Sequence, residues 1–116
     1  MHCLIVDDSA QFLAAARRVL EADGFEVVAT ASSGADAVRA GREHELDVVL
    51  LDVELGAESG FDVARALAEA GVRAPVVMVS THAEHDLAGL VEDSVAVGFV
   101  PKARLGAAPI LEVLGG

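Results

Sequence analysis

The segment Asp47–Val53, "DVVLLDV", decides the fold. Its apolar stretch, Val48 to Leu51, offers no polar side to water and has the length of a strand rather than a helix. Continuous apolar strands of this kind are buried on both faces of a parallel sheet. Parallel strands need long, usually helical, crossovers between them, so the flanking sequence should alternate between strand and helix patterns.

It does so from end to end. Upstream, "HCLIV" (2–6) reads as a first strand. "SAQFLAAARRVLEADG" (9–24) places Phe12, Leu13, Ala16, Val19 and Leu20 on one helical stripe, with Arg17, Arg18 and Glu21 opposite. Ser9 can cap that helix and Gly24 can end it. "FEVVATA" (25–31) is a second strand, and "SGADAVRAGREH" (33–44) a second helix beginning near Ser33. Downstream come a Gly-containing loop, "ELGAESG" (54–60), and a third helix, "FDVARALAEAG" (61–71). "PVVMVS" (75–80) is the fourth strand, and "AEHDLAGLVED" (83–93) a weaker helix with an internal Gly89. "VGFV" (97–100) is the fifth strand, and a short last helix carries Pro109 at or near its first turn. This alternation predicts one α/β domain over residues 1–116, a parallel sheet with helices on both faces. No repeat, low-complexity tract or linker is evident, Gly115 and Gly116 aside.

Composition fits such an interior: 53% of the 116 residues are hydrophobic, with four Phe and neither Trp nor Tyr. Nineteen acids against eight bases give a net charge of −11, which disfavours direct nucleic-acid binding by this chain. The longest apolar runs are too short to cross a bilayer, and no signal peptide precedes "MHCLIV". The lone Cys3 cannot pair within the chain and sits in an apolar run, so a buried thiol in a reducing cytoplasm is expected.

The acids are informative by position. In an open α/β sheet, ligands bind at the carboxyl ends of the strands, near the point where strand order reverses. Those ends carry Asp7 and Asp8 on the first strand, Asp52 on the third, Ser80 on the fourth and Lys102 on the fifth. Taken singly, each has a plain reading: a solvated strand end, a turn-starting Asp, a strand terminus, a surface lysine. Together they form a set that calls for a cation, since adjacent carboxylates at a strand end repel one another. Hard oxygen donors suit Mg2+, which takes only one or two protein carboxylates and keeps several waters. A carboxylate beside the metal can act as a nucleophile toward phosphorus, with an ammonium offsetting charge on the phosphoryl oxygens.

At these residues the chain resembles the receiver domain of two-component response regulators. The resemblance covers essentially all 116 residues and rests on "VDDS", "LLDVELGAESG", "VVMVST" and "GFVPKA". Asp52, Ser80 and Lys102 also stand 28 and 22 residues apart, as in that family. The resemblance implies a flavodoxin-like (βα)5 sandwich with strand order 2-1-3-4-5. It implies that Asp52 is the phosphoacceptor, taking the phosphoryl group from the phosphohistidine of a sensor histidine kinase. Asp8, Asp52 and the backbone carbonyl of Glu54 would hold Mg2+, or Mn2+ in its place, with Asp7 assisting. Lys102 would pair with the phosphoryl oxygens. Ser80 and Phe99 would turn inward after transfer and reshape the face of the fourth helix, fifth strand and fifth helix. That face would serve a homodimer, an attached output domain or a target protein; "GFVPK" is most like receivers joined to helix-turn-helix output domains that control transcription.

The chain departs from the family pattern in places. Gly56 and Ala57 stand where Pro-Gly is usual, which would free the loop backbone. Thr81 stands where Ala or Gly is common and narrows the space beside the phosphoryl group. Glu54 and His82 occupy the two variable positions that tune the lifetime of the aspartyl-phosphate in the family. His82 and His85 have a spacing that can bind metal on one helix face, but no third ligand type clusters with them.

Three functions compete at this stage. The leading one is a phosphorylatable switch that catalyses its own phosphotransfer and dephosphorylation but turns over no conventional substrate. An unphosphorylated receiver-like interaction module comes second. A phosphatase with an aspartyl nucleophile comes third, because such enzymes want an Asp two residues after the nucleophile and position 54 is Glu.

Overall fold

The computed structural model describes residues 1–81 and 89–115. Five parallel strands form one sheet: β1 (His2–Val6), β2 (Glu26–Ala31), β3 (Val48–Asp52), β4 (Val76–Ser80) and β5 (Gly98–Pro101). Their spatial order is β2-β1-β3-β4-β5. Helices α1 (Ala10–Ala22), α2 (Gly34–Glu43) and α3 (Gly60–Glu69) form crossovers, and a C-terminal helix (Ala107–Gly115) closes the chain. This is the doubly wound, flavodoxin-like arrangement expected from the sequence. Of the predicted fourth helix, residues 89–92 are helical and the segment before them lies outside the described residues.

The reading of "DVVLLDV" holds in detail: every residue of β3 is buried, as is every residue of β4. Period-two alternation then sorts the strand side chains between two half-cores. Leu4, Val6, Val49, Leu51, Met78 and Phe99 pack on one face with residues of α2 and α3. Cys3, Ile5, Leu50, Val77, Val79 and Val100 pack on the other with Ala16 and Leu20 of α1 and Ile110 of the C-terminal helix. Val19, read onto the buried stripe of α1, is instead 42% exposed, so the stripe is Phe12, Leu13, Ala16 and Leu20.

Each of the first three helices begins at a serine whose hydroxyl accepts an orphan helix N–H. Ser9 accepts from Phe12, Ser33 from Asp36 and Ser59 from Phe61, each at 3.2 Å. Helix starts are thereby fixed just beyond the carboxyl ends of the strands, along the edge that carries the acids.

The segment read as an open loop after β3 folds into a small antiparallel hairpin, Glu54–Leu55 against Glu58–Ser59. Its turn uses Gly56 at φ +57°, a left-handed conformation that glycine adopts without strain. Leu55 is 3% exposed and anchors the hairpin in the α2–α3 half-core. Gly60, the next residue, packs against the carbonyl of Asp52 so closely that a Cβ would overlap it. No helix among the described residues is long and apolar enough to cross a membrane.

Candidate functional site

The strand order reverses at β1, which lies between β2 and β3, and the crevice at their carboxyl ends holds the acids. Asp7 and Asp52 are buried and Asp8 is exposed. One carboxylate oxygen from each lies within 4.8 Å of the others. Asp8, Asp52, Glu54, Gly56, Ser80, Thr81 and Lys102 line a polar pocket of about 230 Å³ above them. Four strand ends therefore converge along the edge that the sequence singled out, and the hairpin, which the sequence did not predict, joins them. Glu54 contributes its backbone to the site: its N–H donates to Asp52 Oδ1 at 3.2 Å.

Lys102 reaches this cluster from the start of a short 3-10 turn directly after β5. Its Nζ lies 2.6 Å from Asp7 Oδ2 and 3.4 Å from Asp52 Oδ2. The pairing with Asp52 is a hydrogen bond, whereas Asp7 Oδ2 is buried with the ammonium as a close counter-charge but no aligned hydrogen bond. The other oxygen, Asp7 Oδ1, accepts from Ser9 N at 2.8 Å.

Burial pushes the Asp52 carboxyl above the ordinary range, and the charge of Asp7 adds to the rise; the Glu54 amide and Lys102 oppose it without cancelling it. Burial alone would depress Lys102, but contact with Asp7 and the charge of Asp52 outweigh it, so its ammonium is held charged more firmly than usual.

The donor set passes a chemical test for a hard divalent cation. Three carboxylates face one lysine, so the cluster carries surplus negative charge. Asp7 Oδ2 is buried with the Lys102 ammonium, 2.6 Å away, as its counter-charge. Carboxylate and carbonyl oxygens without sulfur or imidazole favour Mg2+ or Mn2+. Asp7, Asp8 and Asp52 are the group that could hold it.

Other predicted residues fall as follows. Ser80 is 2% exposed and lines the pocket, and Phe99 is 9% exposed in the half-core shared with α2 and α3. His82 and His85 lie outside the described residues. One participant was missed at sequence level. The ring of Phe12 lies under the Lys102 ammonium, 4.2 Å from centroid to Nζ, a cation–π contact. No local pattern pointed to it, because Phe12 and Lys102 lie 90 residues apart.

Residues 3–109 match the family model for the response regulator receiver domain. The chain is 36% identical over 110 residues to the response regulator UvrY of Escherichia coli K12, covering 94% of this chain and 49% of that one. It thus spans about half the length of these curated relatives. Among solved structures, the signal receiver domain of the response regulator NarL from Mycobacterium tuberculosis superposes with a TM-score of 0.84 at 27% identity, covering 99% of this chain and 97% of that one. A chain of the CheX-CheY-BeF3-Mg+2 complex from Borrelia burgdorferi gives 0.79 at 27% identity, covering 98% of this chain and 86% of that one. The chain belongs to the receiver-domain family of response regulators.

Proposed function

We propose that the chain is a phosphoacceptor switch. Asp52 takes a phosphoryl group from the phosphohistidine of a sensor histidine kinase: a P–N bond breaks, a P–O bond to Asp52 forms, and the histidine nitrogen keeps the electron pair. The observation that carries this reading is the fixing of the Asp52 carboxylate from both sides. Glu54 N–H holds Oδ1 and Lys102 lies 3.4 Å from Oδ2, in a polar pocket of about 230 Å³. Such transfer is mostly positioning and electrostatics.

Asp7, Asp8, Asp52 and the Glu54 carbonyl would hold Mg2+ (Mn2+ being a substitute). When bound, the ion would offset charge on the transferring phosphoryl oxygens. Lys102 would exchange part of its contact with Asp7 and Asp52 for those same oxygens. Ser80 would hydrogen-bond the product, and Phe99 would move with it, changing the face of the fourth helix, fifth strand and fifth helix. Glu54 and His82 would set the phosphate lifetime. The switch would catalyse its own phosphorylation and dephosphorylation in the cytoplasm, with no other substrate. Homodimerisation and a transcriptional output domain would read its state, in line with the greater length of UvrY.

The test is a beryllofluoride titration with and without Mg2+, followed by NMR, on native protein and Asp52→Asn. Mg2+-dependent shifts at Ser80 and Phe99 in the native protein alone are expected. If neither protein responds, the pocket serves an interaction module that is never phosphorylated.

A further inference from the structure

The hairpin after β3 makes one contact that neither the pocket nor the core requires. Glu58 Oε1 accepts the backbone N–H of Gly34 at 2.9 Å, joining residues 24 apart in sequence. Gly34 is the first residue of α2, directly after the Ser33 cap, so its N–H is one of the helix's orphan donors. A carboxylate is favoured there by the helix dipole. The fit is close: a Cβ on Gly34 would stand 2.5 Å from Glu58 Oε2 and 2.9 Å from Val63 Cγ2.

This contact bears on Asp52 through a short, stiff connection. Glu58 pairs with Leu55 across the hairpin, and Glu54 pairs with Ser59. Leu55 is held in the core, and Glu54 N–H is bonded to Asp52 Oδ1. Gly56 and Ala57 leave the turn without a φ-fixing proline, and the Glu58–Gly34 contact adds a tie on the far strand to the Leu55 anchor on the near one. Side-chain truncation at Glu58 would release the far strand of the hairpin from α2 while leaving Asp7, Asp8, Asp52 and Lys102 in place.

We infer that Glu58 is a positioning residue: by docking on the α2 N-terminus it holds the hairpin so that the Glu54 backbone stays on Asp52. The inference rests on the proposed phosphoacceptor role for its functional meaning, but its structural part is readable without phosphorylation or metal.

The experiment compares native protein, Glu58→Ala and Glu58→Gln in two measurements. The first is the amide resonance of Glu54 and hydrogen exchange at Gly34 and Glu54, in metal-free protein. The second is Mg2+ affinity by titration. Glu58→Ala should shift the Glu54 amide, speed exchange at both sites and weaken Mg2+ binding about tenfold, as loss of an outer-shell support does; Glu58→Gln keeps the acceptor oxygen and should restore both readouts. Native-like Glu54 and Gly34 amides in Glu58→Ala would overturn the inference. So would equal losses in Ala and Gln, since the acceptor would then not be what matters. If native protein binds no Mg2+, the phosphoacceptor reading fails, while the amide measurements still decide the role of Glu58.

Discussion

Lys102 Nζ stands 2.6 Å from Asp7 Oδ2, closer than to Asp52 at 3.4 Å. The lysine, which follows the edge strand β5, therefore pairs first with a fully buried carboxylate at the end of β1, beyond β4 and β3 in the sheet, and only second with the proposed acceptor at the end of β3. Among the described residues it acts as a resident counter-ion for the carboxylates of Asp7 and Asp52.

Lys102→Met keeps bulk over Phe12 but removes that counter-ion, leaving two buried carboxylates without a cation among the described residues. Breaking a buried pair from one side should cost about 3 kcal/mol of stability by urea unfolding. Mg2+ should then raise the melting temperature of the variant more than that of native protein. No rise in either protein would mean that the acids do not bind the ion, and an equal rise would mean that Lys102 does not compete with it.

Asp52→Asn should melt higher than native protein at neutral pH without metal. The sign follows from a folded-state pKa raised, chiefly by burial, above the ordinary value. A raised pKa means that the fold favours the neutral form. Stability from that preference is complete below 3.8 and is lost as pH climbs through the raised value. An amide is neutral throughout, so the advantage of the variant should shrink on acidification. Thermal scans across pH 3 to 8 check it, and a variant advantage that grows toward acid would refute the assignment.

Gly60→Ala should be destabilised by roughly 3 kcal/mol, an overpacking cost, because the new methyl would meet the Asp52 carbonyl, a backbone atom that cannot rotate away. Chemical denaturation measures this directly. A loss below about 0.5 kcal/mol, the range of ordinary surface changes, would show that the hairpin shifts freely.

Cys3 is fully buried, and burial pushes its thiol up to about 11. A thiol reagent at neutral pH should label it only as fast as the protein opens, since reaction needs an exposed thiolate. Labelling within seconds under native conditions would contradict the burial.

Much of this was legible beforehand. The continuous apolar strands and the helical stripes showed the strand–helix alternation and the edge on which Asp7, Asp8, Asp52, Ser80 and Lys102 meet, because local period and strand ends are sequence properties; the strand order came only from the family resemblance. The hairpin at 54–59 was not legible: its two-residue strands are too short for alternation to register, and it forms because Leu55 finds a core and Glu58 finds α2. The exposure of Val19 was hidden for a related reason. A helical stripe records which residues are apolar, but its buried width is set by how close the sheet and the C-terminal helix stand. Phe12 beneath Lys102 joins elements 90 residues apart, which no local pattern encodes.

The sheet itself is a partition. Leu50 and Leu51 are adjacent in sequence yet belong to separate half-cores, one shared with α1 and the C-terminal helix, the other with α2, α3, Leu55 and Phe99. Side chains on the two sides touch different neighbours, so substitutions can accumulate on one side with little coupling to the other. A volume change at Phe99 is thus felt by Leu51 and Met78 on its own side, while Cys3 and Ile110 across the sheet keep their neighbours.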